Sequence, residues 1–258
     1  MRGDGLRLSI GTLTAVPVPP PRRVDRPVAR AAMLLAPLAV LPLALASGLL
    51  AAAGIAVSAP PVLTAALVVG LLAWGSRGMH VDGLSDTADG LGASFDRARA
   101  LEIMSRGDAG PMGVATLVIV LLAQAASLAA LLAPSAPDTA PLAVVAIVCA
   151  SRGALALACL HGVPSAKPDG LGALVAGSVG RGAGVLSAGV VVGLAVGGGV
   201  LAGRSWWLGL VAGIACCLVI AVWVRHCTRR LGGITGDVLG SCVEIALLVL
   251  AGVLAIPA

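Results

Sequence analysis

The stretch Arg77-Gly78-Met79-His80-Val81-Asp82-Gly83-Leu84-Ser85-Asp86-Thr87-Ala88-Asp89-Gly90 gathers three carboxylates into eight residues. On a helix, Asp82, Asp86 and Asp89 fall at i, i+4 and i+7 and project from one narrow face. Like charges placed this way repel one another and weaken the helix unless a counter-charge sits between them. Hard oxygen donors in such a set suit Mg²⁺ or Mn²⁺. The stretch adjoins apolar sequence in a chain poor in charge, so a metal or phosphate site is preferred here over a merely acidic surface loop. His80, beside the aspartates, has two readings: a general base or proton shuttle, and a hydrogen-bonded histidine at the membrane interface.

Further chemistry-bearing residues lie in three later places. Ser151-Arg152 falls inside an apolar segment, where an unpaired arginine costs at least about 2.5 kcal/mol. Arg152 therefore serves either as a phosphate clamp or as one half of a structural ion pair. Lys167 follows in the loop His161–Gly172, where a phosphate or a lipid headgroup is its natural contact. Asp237, Ser241 and Glu244 form a second i, i+4, i+7 stripe. Glu244 is about 10 Å along the helix from Asp237, with Arg152 as its expected partner. Ser94 is expected to cap a short helix that carries Asp96 in its first turn and runs to Arg106, with Glu102 and Arg106 as an i,i+4 pair. Gly107, Gly110 and Gly113 then supply flexible backbone, for a turn or for close approach to a phosphate.

The elements that must position these groups are apolar. Of 258 residues, 59% are hydrophobic and 11% charged, and the mean hydropathy is +1.04. A soluble domain carries about 25% charged residues, so this is an all-α integral membrane protein, a polytopic helical bundle in one domain, residues 1–258. No cleavable secretory signal is expected, because the first apolar run begins near Val28 and is too long for one. About seven spans are expected, near residues 28–53, 60–77, 113–133, 140–161, 184–203, 206–224 and 238–256. Pro37 and Pro42 should kink the first. Leu6–Val16 reads as a short interfacial or re-entrant piece. With the N-terminus in the cytoplasm, only Arg204 and Arg152 of the 17 basic residues fall outside the cytoplasmic pieces, as the positive-inside rule requires. The aspartates then face the cytoplasm of a plasma (inner) membrane.

The net charge of +5 reflects this topology. The basic residues are scattered in short loops without aromatic platforms, so nucleic acid is not an expected partner. The six cysteines lie in or beside apolar segments without C-x-x-C spacing and read as small buried hydrophobes. The four tryptophans fall near segment ends, as an interfacial belt would place them.

The run His80–Gly92 closely resembles the signature of the cobalamin synthase (adenosylcobinamide-GDP ribazoletransferase) family. The resemblance continues through Glu102-Ile103-Met104, Gly110-Pro111-Met112-Gly113-Val114, Ser151-Arg152, Lys167–Gly172, and Gly232–Gly240 with Glu244; Leu13–Pro19 is similar to the family's opening. It covers nearly the whole chain in the family's order. Two places depart from the pattern: Ala15 stands where a basic residue is expected, and Ser105-Arg106-Gly107-Asp108 has its charges in a different order.

The resemblance implies a Mg²⁺-dependent transferase acting on adenosylcobinamide-GDP and α-ribazole or its 5′-phosphate, with GMP released and adenosylcobalamin or its 5′-phosphate formed. It places Mg²⁺ on Asp82, Asp86 and Asp89, with one of these or His80 accepting the ribazole proton. Arg152, Lys167 and Arg106 are candidate phosphate contacts, and Asp237 and Glu244 complete or orient the site. The expected partners are these substrates and the lipid bilayer, with a homo-oligomer left open. Two other classes share part of this chemistry. A CDP-alcohol phosphatidyltransferase also clusters aspartates, but its D-G-x-x-A-R opening is absent. A cation transporter would place its acids near the middle of the membrane.

Overall fold

The computed structural model describes residues 2–133 and 138–257, and among these residues the chain is helical with no strand longer than an isolated bridge. The N-terminal helix α1 (Arg2–Leu13) packs on α2 (Arg26–Leu34), where the Ser9 hydroxyl donates to the Ala32 carbonyl at 2.9 Å. The first apolar segment is broken twice, into α2, α3 (Ala36–Ala39) and α4 (Leu41–Ala56). Pro37 and Pro42 each stand in the first turn of the following helix, the position where proline's missing N–H is harmless. The expected kinks are therefore present.

Helix α5 (Pro61–Gly75) ends at Ser76, and Arg77 (φ 56°) and Gly78 (φ 74°) are both left-handed. This pair turns the chain by 88° into α6 (Met79–Ala93). The arginine conformation is braced by a hydrogen bond from its guanidinium to the Gly11 carbonyl. Thus α6, which carries the aspartates, leaves α5 at nearly a right angle. A short α7 (Arg97–Met104) follows. Its cap is Asp96, whose carboxylate accepts from the Arg99 amide at 2.8 Å, and it ends at Met104. The expected cap at Ser94 and end at Arg106 are corrected accordingly: Ser94 closes α6, and only the Asp96 side chain reaches the third amide of the new helix.

Among the described residues five helices are long and apolar enough to cross a membrane, or six crossings if the bent α5–α6 pair is one: α8 (Pro111–Leu131), α9 with α10 (Ala140–Arg152 and Ala154–Ala158), α12 (Arg181–Leu201), α13 (Trp206–Leu231) and α14 (Gly236–Leu254). Between α10 and α12 lies one further turn of helix, α11 (Gly170–Val175). The apolar α4 and α5 are 16 and 15 residues long, shorter than the roughly 20 residues that cross about 30 Å of hydrocarbon. The chain is a polytopic all-α membrane protein. Small residues allow its spans to approach: Gly209 and Gly213 of α13 face the backbone of Val196 and Val192 in α12. The cysteines are free and, apart from partly exposed Cys217, buried. Trp74, Trp206 and Trp207 are exposed. Trp223 turns inward, with its indole donating to Ser241 at 2.8 Å, so it does not belong to the expected belt.

Candidate active site

The aspartate helix packs antiparallel on the first turns of α14, with Gly83 against Asp237 and Gly240 against His80. Both contacts are with backbone; a side chain at Gly83 has no room, and one at Gly240 would be tight. They bring Asp82 and Asp86 beside Asp237, 151 positions later than Asp86 in the chain. Asp82 is exposed at the mouth of this group, Asp237 is half-buried, and Asp86 is buried. Burial and the carboxylates of Asp82, Asp237, Asp89 and Asp108 push the Asp86 carboxyl up to about 7. Carboxylates gathered this closely are the electrostatic signature of a site that takes a counter-ion.

Asp89 has a different task. Its two carboxylate oxygens accept from the Gly110 and Gly113 amides at 2.7 and 2.9 Å, the free N–H groups at the start of α8. The glycines at 110 and 113 thus approach a carboxylate of the protein itself. Ser85 and Asp89 occupy the space a side chain at Gly113 would need.

The loop after α10 is held by short-range pairing to the chain before α14. The Ala166 amide donates to the Ile234 carbonyl at 3.0 Å, and the Ile234 amide to the Pro164 carbonyl at 2.9 Å. Arg97 of α7 reaches the Ala166 carbonyl at 3.1 Å. Arg230 ties the end of α6 to α13 through the Leu91 and Ser94 carbonyls, at 3.0 and 2.8 Å, and lies over the Phe95 ring. These anchors shape a cavity of about 360 Å³ that includes Lys167, Asp169, Gly170, Thr235 and Asp237. Lys167 is the cation whose charge acts on Asp237.

Four of the expected site residues lie elsewhere. Arg106 is exposed and bonded to Glu102 at 2.9 Å, while Arg99 holds the same carboxylate at 2.8 Å. His80 is 2% exposed, and neither ring nitrogen has a hydrogen-bond partner, so the expected hydrogen-bonded histidine is not what the described residues provide. Arg152 is 1% exposed, donates to Ser151 at 2.9 Å and does not line the cavity. Its charge and that of Glu244 act on each other, yet no direct ion pair joins them among the described residues. Glu244 is instead held by Gln124 of α8, whose amide nitrogen reaches its Oε2 at 2.8 Å and its carbonyl at 3.1 Å. Gln124 went unnoticed in the sequence, although it is the one glutamine of the chain and lies within a predominantly apolar helix.

Among the described residues no three His, Cys, Asp or Glu side chains converge as a ready-made metal cage. That suits Mg²⁺, which is commonly held by one or two carboxylates and completed by water and phosphate oxygens. Asp82, Asp86 and Asp237 offer such carboxylates, one or two at a time. Asp89, with both oxygens already accepting from amides, fits less well.

A polytopic helical membrane protein with a carboxylate cluster and a neighbouring lysine-bearing cavity has the groups that phosphate chemistry at a membrane uses. The chain belongs to the cobalamin-5-phosphate synthase family, whose model matches residues 5–255. A protein of Nocardioides sp. named adenosylcobinamide-GDP ribazoletransferase is 50% identical over 244 residues, 95% of each chain. Proteins of that name from Frankia casuarinae and Brucella ovis are 39% and 33% identical, over 93% and 94% of this chain and 90% and 92% of their own. No solved structure matches the chain.

Proposed function

We propose that this protein transfers the cobinamide-bearing phosphoryl group of adenosylcobinamide-GDP to α-ribazole or its 5′-phosphate, forming adenosylcobalamin or its 5′-phosphate and releasing GMP. The observation that carries the reading is the meeting of Asp82 and Asp86 with Asp237 beside a cavity containing Lys167. In the transfer, a ribazole hydroxyl oxygen forms a bond to the phosphorus attached to cobinamide. The bond from that phosphorus to the oxygen bridging to GMP breaks, and GMP leaves with the electron pair. The hydroxyl proton passes to a carboxylate of the cluster. Such chemistry depends on in-line placement and charge neutralisation more than on a covalent enzyme intermediate.

One or two of Asp82, Asp86 and Asp237 would hold Mg²⁺, which when bound neutralises the charge that develops on the pyrophosphate oxygens. Lys167 contacts a phosphate of the donor, with Gly170, which has open space beside its Cα, allowing its oxygens close to the backbone. Asp89 positions the cluster through the start of α8. The distribution of arginines supports a mouth facing the cytoplasm of the plasma (inner) membrane, where nucleotide substrates are found.

The test is GMP release from adenosylcobinamide-GDP by the purified, detergent-solubilised protein, with α-ribazole 5′-phosphate and Mg²⁺ and with an EDTA control. Metal- and acceptor-dependent GMP, together with the matching corrinoid product, is expected. No GMP from a folded preparation would overturn the reading.

A further inference from the structure

A second cavity, of about 980 Å³, lies between α10, α12 and α13, and no acidic residue lines it. Its walls are apolar, among them Leu157, Val185, Ala188 and Ala221. One end is strongly basic. Arg181 is the first residue of α12, and Arg225 and Arg229 stand in the last two turns of α13, so the antiparallel helices bring all three arginines to the same end. All three are exposed, and among the described residues no carboxylate pairs with them.

The two helices are spans, and their neighbouring surface is greasy: Val185 is 75% exposed and Val222 68%. A groove with apolar walls at bilayer depth and cations at the helix ends complements a molecule with an anionic head and a hydrocarbon tail. A soluble phosphate would use the arginines but gain nothing from the walls. An apolar partner helix would bury three positive charges uncompensated.

We propose that this groove binds an anionic phospholipid of the bilayer, with its phosphate on Arg181, Arg225 and Arg229 and an acyl chain along Val185, Ala188 and Ala221. The loop His161–Pro164 forms part of the groove and leads directly to Ser165 and Lys167 of the carboxylate cavity. A seated lipid therefore braces the loop that presents Lys167.

The test uses the full chain in nanodiscs of phosphatidylcholine containing a minor fraction of phosphatidylglycerol, with the retained lipid counted by native mass spectrometry. Wild-type protein is expected to enrich phosphatidylglycerol about tenfold or more over the bulk ratio. R181Q/R225Q/R229Q should fall to the bulk ratio, while R22Q/R23Q, which removes exposed arginines elsewhere, should keep the enrichment. Ala221→Trp fills the groove and leaves the arginines untouched, so its loss of enrichment supports the site even where the triple variant fails to insert. Three results overturn the proposal: no enrichment by wild-type protein, equal loss in R22Q/R23Q, or enrichment untouched by filling the groove. Displacement of the lipid by millimolar inorganic phosphate or GMP also overturns it, by assigning the arginines to a soluble ligand.

Discussion

Gly83 of α6 lies directly against the backbone of Asp237 in α14: a β-carbon placed on it would stand 2.7 Å from the Asp237 carbonyl oxygen and 2.9 Å from its Cα. Neither atom belongs to a flexible side chain, so the helices themselves must move apart to admit a methyl group. Gly83→Ala is therefore expected to destabilise the protein by roughly 1–3 kcal/mol. It should also separate Asp82 and Asp86 from Asp237 and lower transfer more steeply than it lowers the melting temperature. Parallel melting curves and turnover measurements check this, and an unchanged turnover would remove the contact from the account of the site.

Asp89 should behave as an anchor. Asp89→Asn keeps the shape but turns an amide N–H toward one of the two backbone N–H groups that the carboxylate now satisfies. A loss of about 1–3 kcal/mol is expected, as for a buried hydrogen-bonding group left without its partner. The Mg²⁺ concentration that half-saturates the remaining transfer should stay the same. A large rise in that concentration would return Asp89 to the metal.

Asp82→Asn and Asp86→Asn are expected to reduce transfer by at least about 10²-fold, the scale of losing a charge-stabilising group, with the protein still inserted and folded. EDTA should have the same effect on the wild type. Near-wild-type turnover in both variants would exclude the metal role.

The position of Asp86 also gives a pH dependence. Its carboxyl is raised from about 3.8 to about 7 in the folded, metal-free protein, so the folded state holds the proton more tightly than the unfolded chain. Stability from this group is present below about 3.8 and is lost as pH rises through about 7. Metal-free wild type should melt at progressively lower temperature across that window, and Asp86→Asn should flatten the profile. Added Mg²⁺ should restore wild-type stability at the alkaline end. A profile unchanged in Asp86→Asn counts against the assigned titration.

Arg152 and Glu244 are the opposite charges of one buried layer, joined to the rest by Ser151 and Gln124. Glu244→Gln removes the carboxylate whose charge acts on the arginine and is expected to cost about 1–3 kcal/mol, the scale for disturbing a buried hydrogen-bonded group. Combining it with Arg152→Gln should recover part of that loss. A double variant no better than the single would show that the two charges are not coupled.

The acidic stripe, the apolar segments and the breaks at Pro37 and Pro42 were legible in the residues alone, because each rests on short-range periodicity or on proline's fixed backbone. Asp82, Asp86 and Asp89 share a helix face whatever surrounds them. Which of them remain free does not follow from that spacing, since Asp89 is taken by amides 21 and 24 positions away. The turn at Arg77-Gly78, the pairing of Gln124 with Glu244, and the meeting of α6 with Asp237 depend on packing between distant segments. Only the tertiary structure decided them, because side chains far apart in the chain choose their partners through helix crossing and available space, which local spacing does not encode.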